Sequence, residues 1–263
     1  TGAIVWHGSP HKFDKFDSSK IGTGEGAQAY GHGLYLAESP DVAGSYAQSV
    51  KANSGELVKR GAAHGLPEDV ASNLAAALQS GKKFDPVIDA ARKMIDDPLA
   101  SASQRAAAQR LIDNEMAAYN AWSEWSKPGQ IYKVDLPDEH IAKMLDWDKP
   151  LSQQSKEVQA AFQSPEVSSM VQSLKQKGLM GDYSVDELAK FKGEDWHDFI
   201  RQASSDSNVA PSDFLKQRGI PGIRYLDGGS RAGGAGTSNY VVFPGNEGLL
   251  QILERNGQGL LGN

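Results

Sequence analysis

Hydrophobic and polar positions divide the chain into zones of different periodicity. Residues 1–50 and 215–255 contain short apolar runs bounded by Gly and Pro, which is typical of β-strands. Residues 130–136 alternate between polar and apolar side chains, as a strand with one buried face does. The pattern predicts strands at 4–6, 33–37, 130–136, 223–226 and 239–243.

The middle of the chain has a helical period instead. Between 52 and 126 the apolar residues recur at helical spacing, and helices are predicted to begin near Leu66 and Asp85. A longer helix is predicted over 101–125. Ser39 and Pro40 predict a helix close to the amino terminus, with Ser39 as its N-cap and Pro40 as its first residue.

The distribution of these elements predicts an α+β fold. Because the strands lie towards the two ends and helices lie between them, a single sheet assembled from both ends is the economical arrangement. Residues 1–51, 127–150 and 215–255 would form its core. Residues 52–126 would be a helical insertion, and 151–214 a mostly helical segment packed on the core.

Composition narrows the classes of function. The chain has 27 Lys and Arg against 33 Asp and Glu, a net charge of −6, and a pI near 5.5. Nucleic-acid-binding domains usually have a pI above about 9, so non-specific nucleic-acid binding is not expected. There is no Cys, which excludes disulfides, cysteine nucleophiles and thiolate metal sites. No apolar run approaches the roughly 18 residues of a membrane span, so no membrane partner is expected.

Two clusters of residues have the chemistry of a binding site. His7 stands at a predicted strand end, and the following Gly8 lets a ligand approach the backbone closely. Tyr35 lies in a strand and Tyr46 follows 11 residues later on a helix, so the two rings can enclose a flat ligand. The alternatives are a His7 bonded to a loop and two tyrosines that belong to the core.

Other kinds of site are poorly supported. His7 and His11 are four residues apart, but Pro10 interrupts any helix between them, and a metal site is not expected. The glycine-rich segment 22–26 matches neither the P-loop nor the dinucleotide fingerprint, although its backbone N–H groups could cradle a phosphate. The serine nucleophile elbow is absent.

Taken together, the clusters resemble the ADP-ribosyltransferase superfamily. The resemblance is to its diphtheria-toxin and poly(ADP-ribose)-polymerase branch, which has a His–Tyr–Glu triad, and most of all to the ADP-ribosyltransferase domains of phage and prophage polyvalent proteins. It covers about 1–50, 128–150 and 215–255, and it implies that the core is a split antiparallel β-sheet. The segments that carry it are Trp6-His7-Gly8-Ser9, residues 20–26, Gly31-His32-Gly33-Leu34-Tyr35-Leu36-Ala37, Ser45-Tyr46, residues 219–227 and Asn239-Tyr240-Val241-Val242-Phe243.

This resemblance implies roles for the matching residues, with NAD+ as substrate and no metal. His7 would hydrogen-bond the adenosine ribose, and the Gly8 backbone would pair with the nicotinamide amide. Tyr35 and Tyr46 would pack on the two faces of the nicotinamide, and residues 22–28 would lie near the pyrophosphate. Further NAD+-binding positions implied in this way are Ser9, Gly24, Gln28 and Ala43.

Two positions depart from the family pattern. Asn239 replaces the triad Glu and can accept a hydrogen bond from the ribose 2″-hydroxyl, but it carries no charge. An ion pair at about 4 Å in an effective dielectric of about 20 contributes about 4 kcal/mol, or roughly a thousandfold in rate. Ala43 stands where polymerising relatives have Ser, so the amide pocket would rest more on Gly8. The candidate substitute carboxylates are Asp227, Glu25 and Glu247.

The function implied is mono-ADP-ribosyl transfer from NAD+ to an unidentified acceptor, with Asn239, His7 and Tyr35 as the catalytic positions. An NAD glycohydrolase is one alternative. A non-catalytic module that binds NAD+ or ADP-ribose is another, because Asn239 replaces the triad Glu. The acceptor would be a macromolecule or small molecule of a bacterial host. The location expected is the host cytosol, reached with the help of a phage or a secretion system.

Overall fold

A computed structural model describes residues 2–9, 11–20, 29–49, 54–126, 129–204, 210–228 and 236–260 of the chain. Within these ranges the fold combines one eight-stranded sheet with twelve α-helices. All strand pairs in the sheet are antiparallel except β4 with β5. The predicted α+β class is confirmed at this level. None of the helices in the described ranges is both long enough and apolar enough to cross a bilayer.

The sheet takes its strands from both ends of the chain, in the order β4-β5-β6-β2-β1-β3-β7-β8. All five predicted strands are present, with small shifts at their ends. Three further strands were not predicted, because two of them contain only two residues each and the third has no clear alternation. The strands are β1 (Ala3–Ser9), β2 (Leu34–Ala37), β3 (Gln130–Leu136), β4 (Leu145–Asp146), β5 (Gly222–Leu226), β6 (Ser238–Val242), β7 (Gln251–Arg255) and β8 (Gln258–Gly259).

Helices account for most of the remaining described residues. The first, α1, begins at Pro40 as predicted, and the Ala43 N–H donates to the Ser39 carbonyl. The helices are α1 (Pro40–Ser49), α2 (Ser54–Ala63), α3 (Glu68–Gln79), α4 (Phe84–Asp96), α5 (Ala102–Asp113), α6 (Glu115–Trp125), α7 (Asp138–Ile141), α8 (Lys156–Phe162), α9 (Pro165–Gln176), α10 (Val185–Leu188), α11 (Gly193–Ala203) and α12 (Ala210–Lys216).

The long helix predicted over 101–125 is wrong, because it is two helices that meet at Asn114. The Asn114 side chain donates to the Arg110 carbonyl at 2.8 Å, and the backbone there has left the helical region (φ −111°, ψ 20°). Asn competes for local backbone groups in this way, which is why it ends helices more readily than it continues them. The apolar period runs through the break, so periodicity alone does not detect it.

Side chains alternate across the sheet and give it two distinct faces. One face, which we call the helical face, carries Tyr35, Ile223, Tyr225 and Val241, and α8, α9, α11 and α12 pack against it. The opposite face carries Val5, Leu36, Tyr132, Val134 and Tyr240 and forms a second core with Phe16 and Leu250. Burial of both faces explains why β6 is buried at every position.

The chain folds as two compact units. The described parts of 1–46 and 130–263 form the unit that contains the sheet, and those of 47–129 form the other. The second unit has its own core of buried side chains from α2, α3 and α6, including Leu57, Leu74 and Trp125. Within it, Glu124 accepts hydrogen bonds from both Arg60 and His64. Partial burial raises the pKa of Glu124, but these two partners bring it below its ordinary value.

Gly33 sits where β2 begins, too close to β6 for any side chain. A Cβ atom at this position would lie 2.5 Å from the Val242 carbonyl oxygen, which belongs to the backbone and cannot rotate away. The glycine therefore sets how closely β2 approaches β6.

We expect Gly33→Ala to destabilise the protein by about 1–3 kcal/mol, because overpacking against fixed backbone forces the two strands apart. Thermal unfolding followed by circular dichroism should show a Tm lower by several degrees. Gly248→Ala is the matched control, since nothing lies within 4 Å of its Cβ position. Equal Tm values for the two variants would contradict the assignment.

Candidate functional site

Strands β1 and β2 separate next to the candidate residues. β1 pairs with β3 at all seven of its residues, whereas the register between β1 and β2 in the described chain is the single pair Trp6–Ala37. Beyond that pair the His7 side chain bridges the two strands, and its Nδ1 lies 2.8 Å from the Tyr35 carbonyl oxygen. A carbonyl can only accept, so Nδ1 carries the proton and the neutral ring keeps Nε2 as an acceptor.

Aromatic rings surround His7 on the opposite face of the sheet. The rings of Phe16, Phe13 and Tyr132 have centroids 5.2, 6.1 and 6.2 Å from that of His7. The Tyr132 hydroxyl donates to the His11 carbonyl at 2.8 Å and accepts from the Phe13 N–H at 2.9 Å. These two bonds hold residues 11–13 beside the Tyr132 ring. Burial lowers the pKa of His7, and the bond to Tyr35 offsets only part of this effect. His7 is therefore neutral at pH 7.

Tyr35 lies on the helical face of β2 and is fastened to the turn that precedes it. Its hydroxyl donates to the Gly31 carbonyl at 2.9 Å and accepts from the Tyr30 N–H at 3.3 Å. Its ring packs against the helical-face core. The side chain is thus held at its base by the strand and at its tip by the turn.

Asn239 lies on the same face, on the neighbouring strand. It stands opposite Ala37 of β2 and Tyr225 of β5, so Trp6, Ala37, Asn239 and Tyr225 form one row across four strands. Because Ala37 is two residues from Tyr35, Asn239 is a diagonal neighbour of Tyr35, a relation that usually spans about 7–8 Å. Asn239 is 3% exposed, and among the described residues its Oδ1 has no hydrogen-bond partner.

The orphaned amide oxygen is the unusual feature of this row. Buried polar atoms nearly always have a partner, and one that lacks a partner costs about 1–3 kcal/mol. Ala37, the smallest side chain in the row, lies beside it. Asn239 therefore presents an acceptor that a hydroxyl or amide donor from a ligand would satisfy.

Aromatic side chains line the row on its β5 side. Tyr30 stacks on Tyr225 with centroids 3.8 Å apart and ring planes 10° apart. Trp147 meets the edge of Tyr30 at 5.0 Å, and His197 of α11 lies 5.1 Å from Trp147. These rings join the Tyr30–Tyr35 loop to the helical layer.

Among the proposed substitute carboxylates, the hydrogen bonds described in the structure engage that of Glu247. Glu247 accepts from the Ser18 N–H at 3.3 Å and the Gly245 N–H at 2.5 Å. Its partial burial raises the pKa, but these bonds bring it below its usual value. Asp227 follows β5 and donates its N–H to the Thr237 carbonyl at 3.0 Å. Glu25 is not among the described residues.

The remaining predicted positions are only partly described. Gly8 pairs with Ile131 in the β1–β3 ladder, and the buried Ser9 accepts from the His11 N–H at 3.1 Å.

Ala43 is buried in α1, and Tyr46 lies in the same helix, but its side chain is outside the described set. Gly24 and Gln28 also fall outside it.

Three residues next to the candidate site were not predicted. Glu38 directly follows β2, and its carboxylate accepts from the Ser238 N–H at 2.9 Å and the Tyr240 hydroxyl at 2.5 Å, the residues on either side of Asn239. A carboxylate directly after a strand was the available signal. Phe13 and Phe16 were visible as an aromatic pair in a polar loop, but nothing local connected them to His7.

Comparisons of the chain with protein-family models, with curated proteins and with solved structures found no match. The chemistry of the site therefore rests on its own geometry. That geometry offers two neutral hydrogen-bond acceptors, His7 Nε2 and Asn239 Oδ1, together with the Tyr35 ring on the Asn239 face. Such a set suits a ligand rich in hydroxyl groups that also has a flat ring.

His197 is a buried base whose ionisation opposes folding. It is 7% exposed and, in the described chain, its Nε2 has no partner. Burial lowers its pKa from 6.5 to about 4, although Asp198 acts in the opposite direction. Between those pH values the unfolded chain binds a proton that the folded chain rejects.

We expect stability to be full above about pH 6.5 and to fall as the pH drops towards 4, with His197 contributing up to about 3 kcal/mol of the loss. His197→Phe keeps a ring beside Trp147 and removes the titration, so its stability should fall less steeply. Urea unfolding at a series of pH values measures both slopes. Parallel curves for the two proteins would contradict the role given to His197.

Proposed function

We propose that this protein is an NAD+-dependent mono-ADP-ribosyltransferase. The observation that carries the proposal is the buried Asn239 Oδ1 without a partner, diagonal to Tyr35 and one strand away from the separation that His7 bridges. The resemblance of these segments to ADP-ribosyltransferases supports the same substrate. In this proposal the eight-stranded sheet is the split sheet of that superfamily.

The residues would divide the work as follows. His7 Nε2 accepts a hydrogen bond from the adenosine ribose, and Tyr35 packs on the nicotinamide ring. Asn239 Oδ1 accepts from the 2″-hydroxyl, which orients the ribose and places a negative dipole end near the cation that develops at C1″. The C1″–N bond breaks, and its electron pair leaves with neutral nicotinamide. The acceptor then attacks C1″ and loses a proton.

The neutral amide limits the rate in this proposal. Asn239 supplies a dipole where the family pattern has a charge, and a dipole stabilises a cation less than a carboxylate does. We therefore infer slow transfer of single ADP-ribose groups, without chain elongation. The same neutrality favours a second candidate, a module that binds NAD+ or ADP-ribose without turnover.

We expect the purified chain to release nicotinamide from NAD+, and we expect Asn239→Ala to lower the rate by roughly tenfold, the effect of one buried hydrogen bond. His7→Ala and Tyr35→Ala should lower it further, because each also removes packing around the substrate. Chromatography of free nicotinamide, with and without bacterial lysate, measures the rates.

Asn73→Ala on the exposed side of α3 is the matched control and should match the unaltered chain. Release with lysate, together with labelled ADP-ribose on a lysate component, identifies a transferase. Release with no labelled acceptor identifies a glycohydrolase. NAD+ binding without release identifies the binding module, and absence of binding would refute the proposal.

A further inference from the structure

The turn formed by residues 30–32 connects Tyr35 to the helical layer. On one side the Tyr35 hydroxyl donates to the Gly31 carbonyl and accepts from the Tyr30 N–H. On the other side the His32 N–H donates to Ser212 Oγ at 2.9 Å. A chain of hydrogen bonds and three residues of backbone therefore runs from α12 to the tip of Tyr35.

Ser212 is buried so deeply that water does not replace it easily. It is 1% exposed, lies on α12, and is 180 residues away from His32 in the sequence. A buried N–H that loses its acceptor costs much more than an exposed one, since no solvent takes the acceptor's place. The Ser212 hydroxyl consequently helps to hold the His32 backbone in place.

Gly31 shows how closely the helices approach the turn. Its φ of +110° lies in a region that residues other than glycine rarely adopt. A Cβ atom there would lie 3.3 Å from Ser212 Oγ and 3.5 Å from His197 Nε2. α11 and α12 thus contact the turn at the residue whose carbonyl receives the Tyr35 hydroxyl.

From these contacts we propose that Ser212 is a positioning residue, which fixes the orientation of the Tyr35 ring through the 30–32 turn. This inference rests on the proposed function, because it gives the orientation of Tyr35 a role in the turnover of NAD+. Ser212 itself does not touch the substrate. The inference thus gives the helical segment 151–214 a role in a reaction whose site lies on the sheet.

A double-mutant cycle tests the connection. We expect Ser212→Ala to lower kcat for nicotinamide release about fivefold to thirtyfold, the factor that one or two hydrogen-bond energies represent. Tyr35→Phe removes the hydroxyl that links the ring to the turn and should lower kcat similarly. The double variant should be no slower than the slower single one, since both changes cut the same connection.

A purely structural loss would give a different pattern. Ser155→Ala removes the N-cap of α8, a comparable hydroxyl-to-backbone bond in the same helical segment, and should leave kcat unchanged. The inference is refuted if the fold losses of kcat caused by Ser212→Ala and Tyr35→Phe multiply in the double variant. It is also refuted if Ser155→Ala lowers kcat as much as Ser212→Ala does.

Hydrogen exchange of the backbone amides provides a measurement that does not depend on turnover. We expect Ser212→Ala to lose protection at residues 30–32 while β6 keeps its protection. Unchanged protection at those amides would overturn the inference even if the chain binds NAD+. Absence of NAD+ binding in the unaltered chain would refute the proposed function, whereas the exchange result would still decide whether Ser212 holds the turn.

Discussion

The separation of β1 from β2 is the constraint on which the candidate site depends. Two antiparallel strands normally satisfy each other's backbone groups along their shared length, and a strand that turns away leaves those groups unpaired. Here the His7 ring gives the Tyr35 carbonyl its donor and occupies the place of a ladder bond. The same bond fixes the tautomer of the ring. The proton on His7 Nδ1 therefore both replaces a hydrogen bond between the strands and sets the tautomer that leaves Nε2 as an acceptor.

The two faces of the sheet divide the remaining tasks. On the opposite face, Tyr132, Phe13 and Phe16 pack around His7 and exclude water from it. This burial lowers the pKa of His7 and keeps its ring neutral. On the helical face, the row from Trp6 to Tyr225 presents Asn239 beside a small residue. Strand alternation places the two acceptors on opposite sides of the sheet, so a ligand that uses both must cross the separation between β1 and β2.

The predictability of these features follows from how local their causes are. The strands around His7, Tyr35 and Asn239 were predictable, because alternation and strand ends are encoded over a few neighbouring residues. The break at Asn114 was not, since an apolar period continues through it. Glu38, Ser212 and His197 were also missed. The residues that they contact lie up to 202 residues away in the sequence, and only the folded register brings them together.

Glu38 brings a carboxylate close to Asn239 without adding a charge to the helical face. Its two oxygens accept from the Ser238 N–H and from the buried Tyr240 hydroxyl, whose pKa is raised by burial and by Glu38 itself. Tyr240 alternates with Asn239 and belongs to the opposite face. The Glu38 carboxylate thus lies at the end of the β2–β6 ladder, where its hydrogen bonds go to a backbone N–H and a phenol hydroxyl. The two candidate groups on the helical face, the Asn239 amide and the Tyr35 hydroxyl, are neutral dipoles.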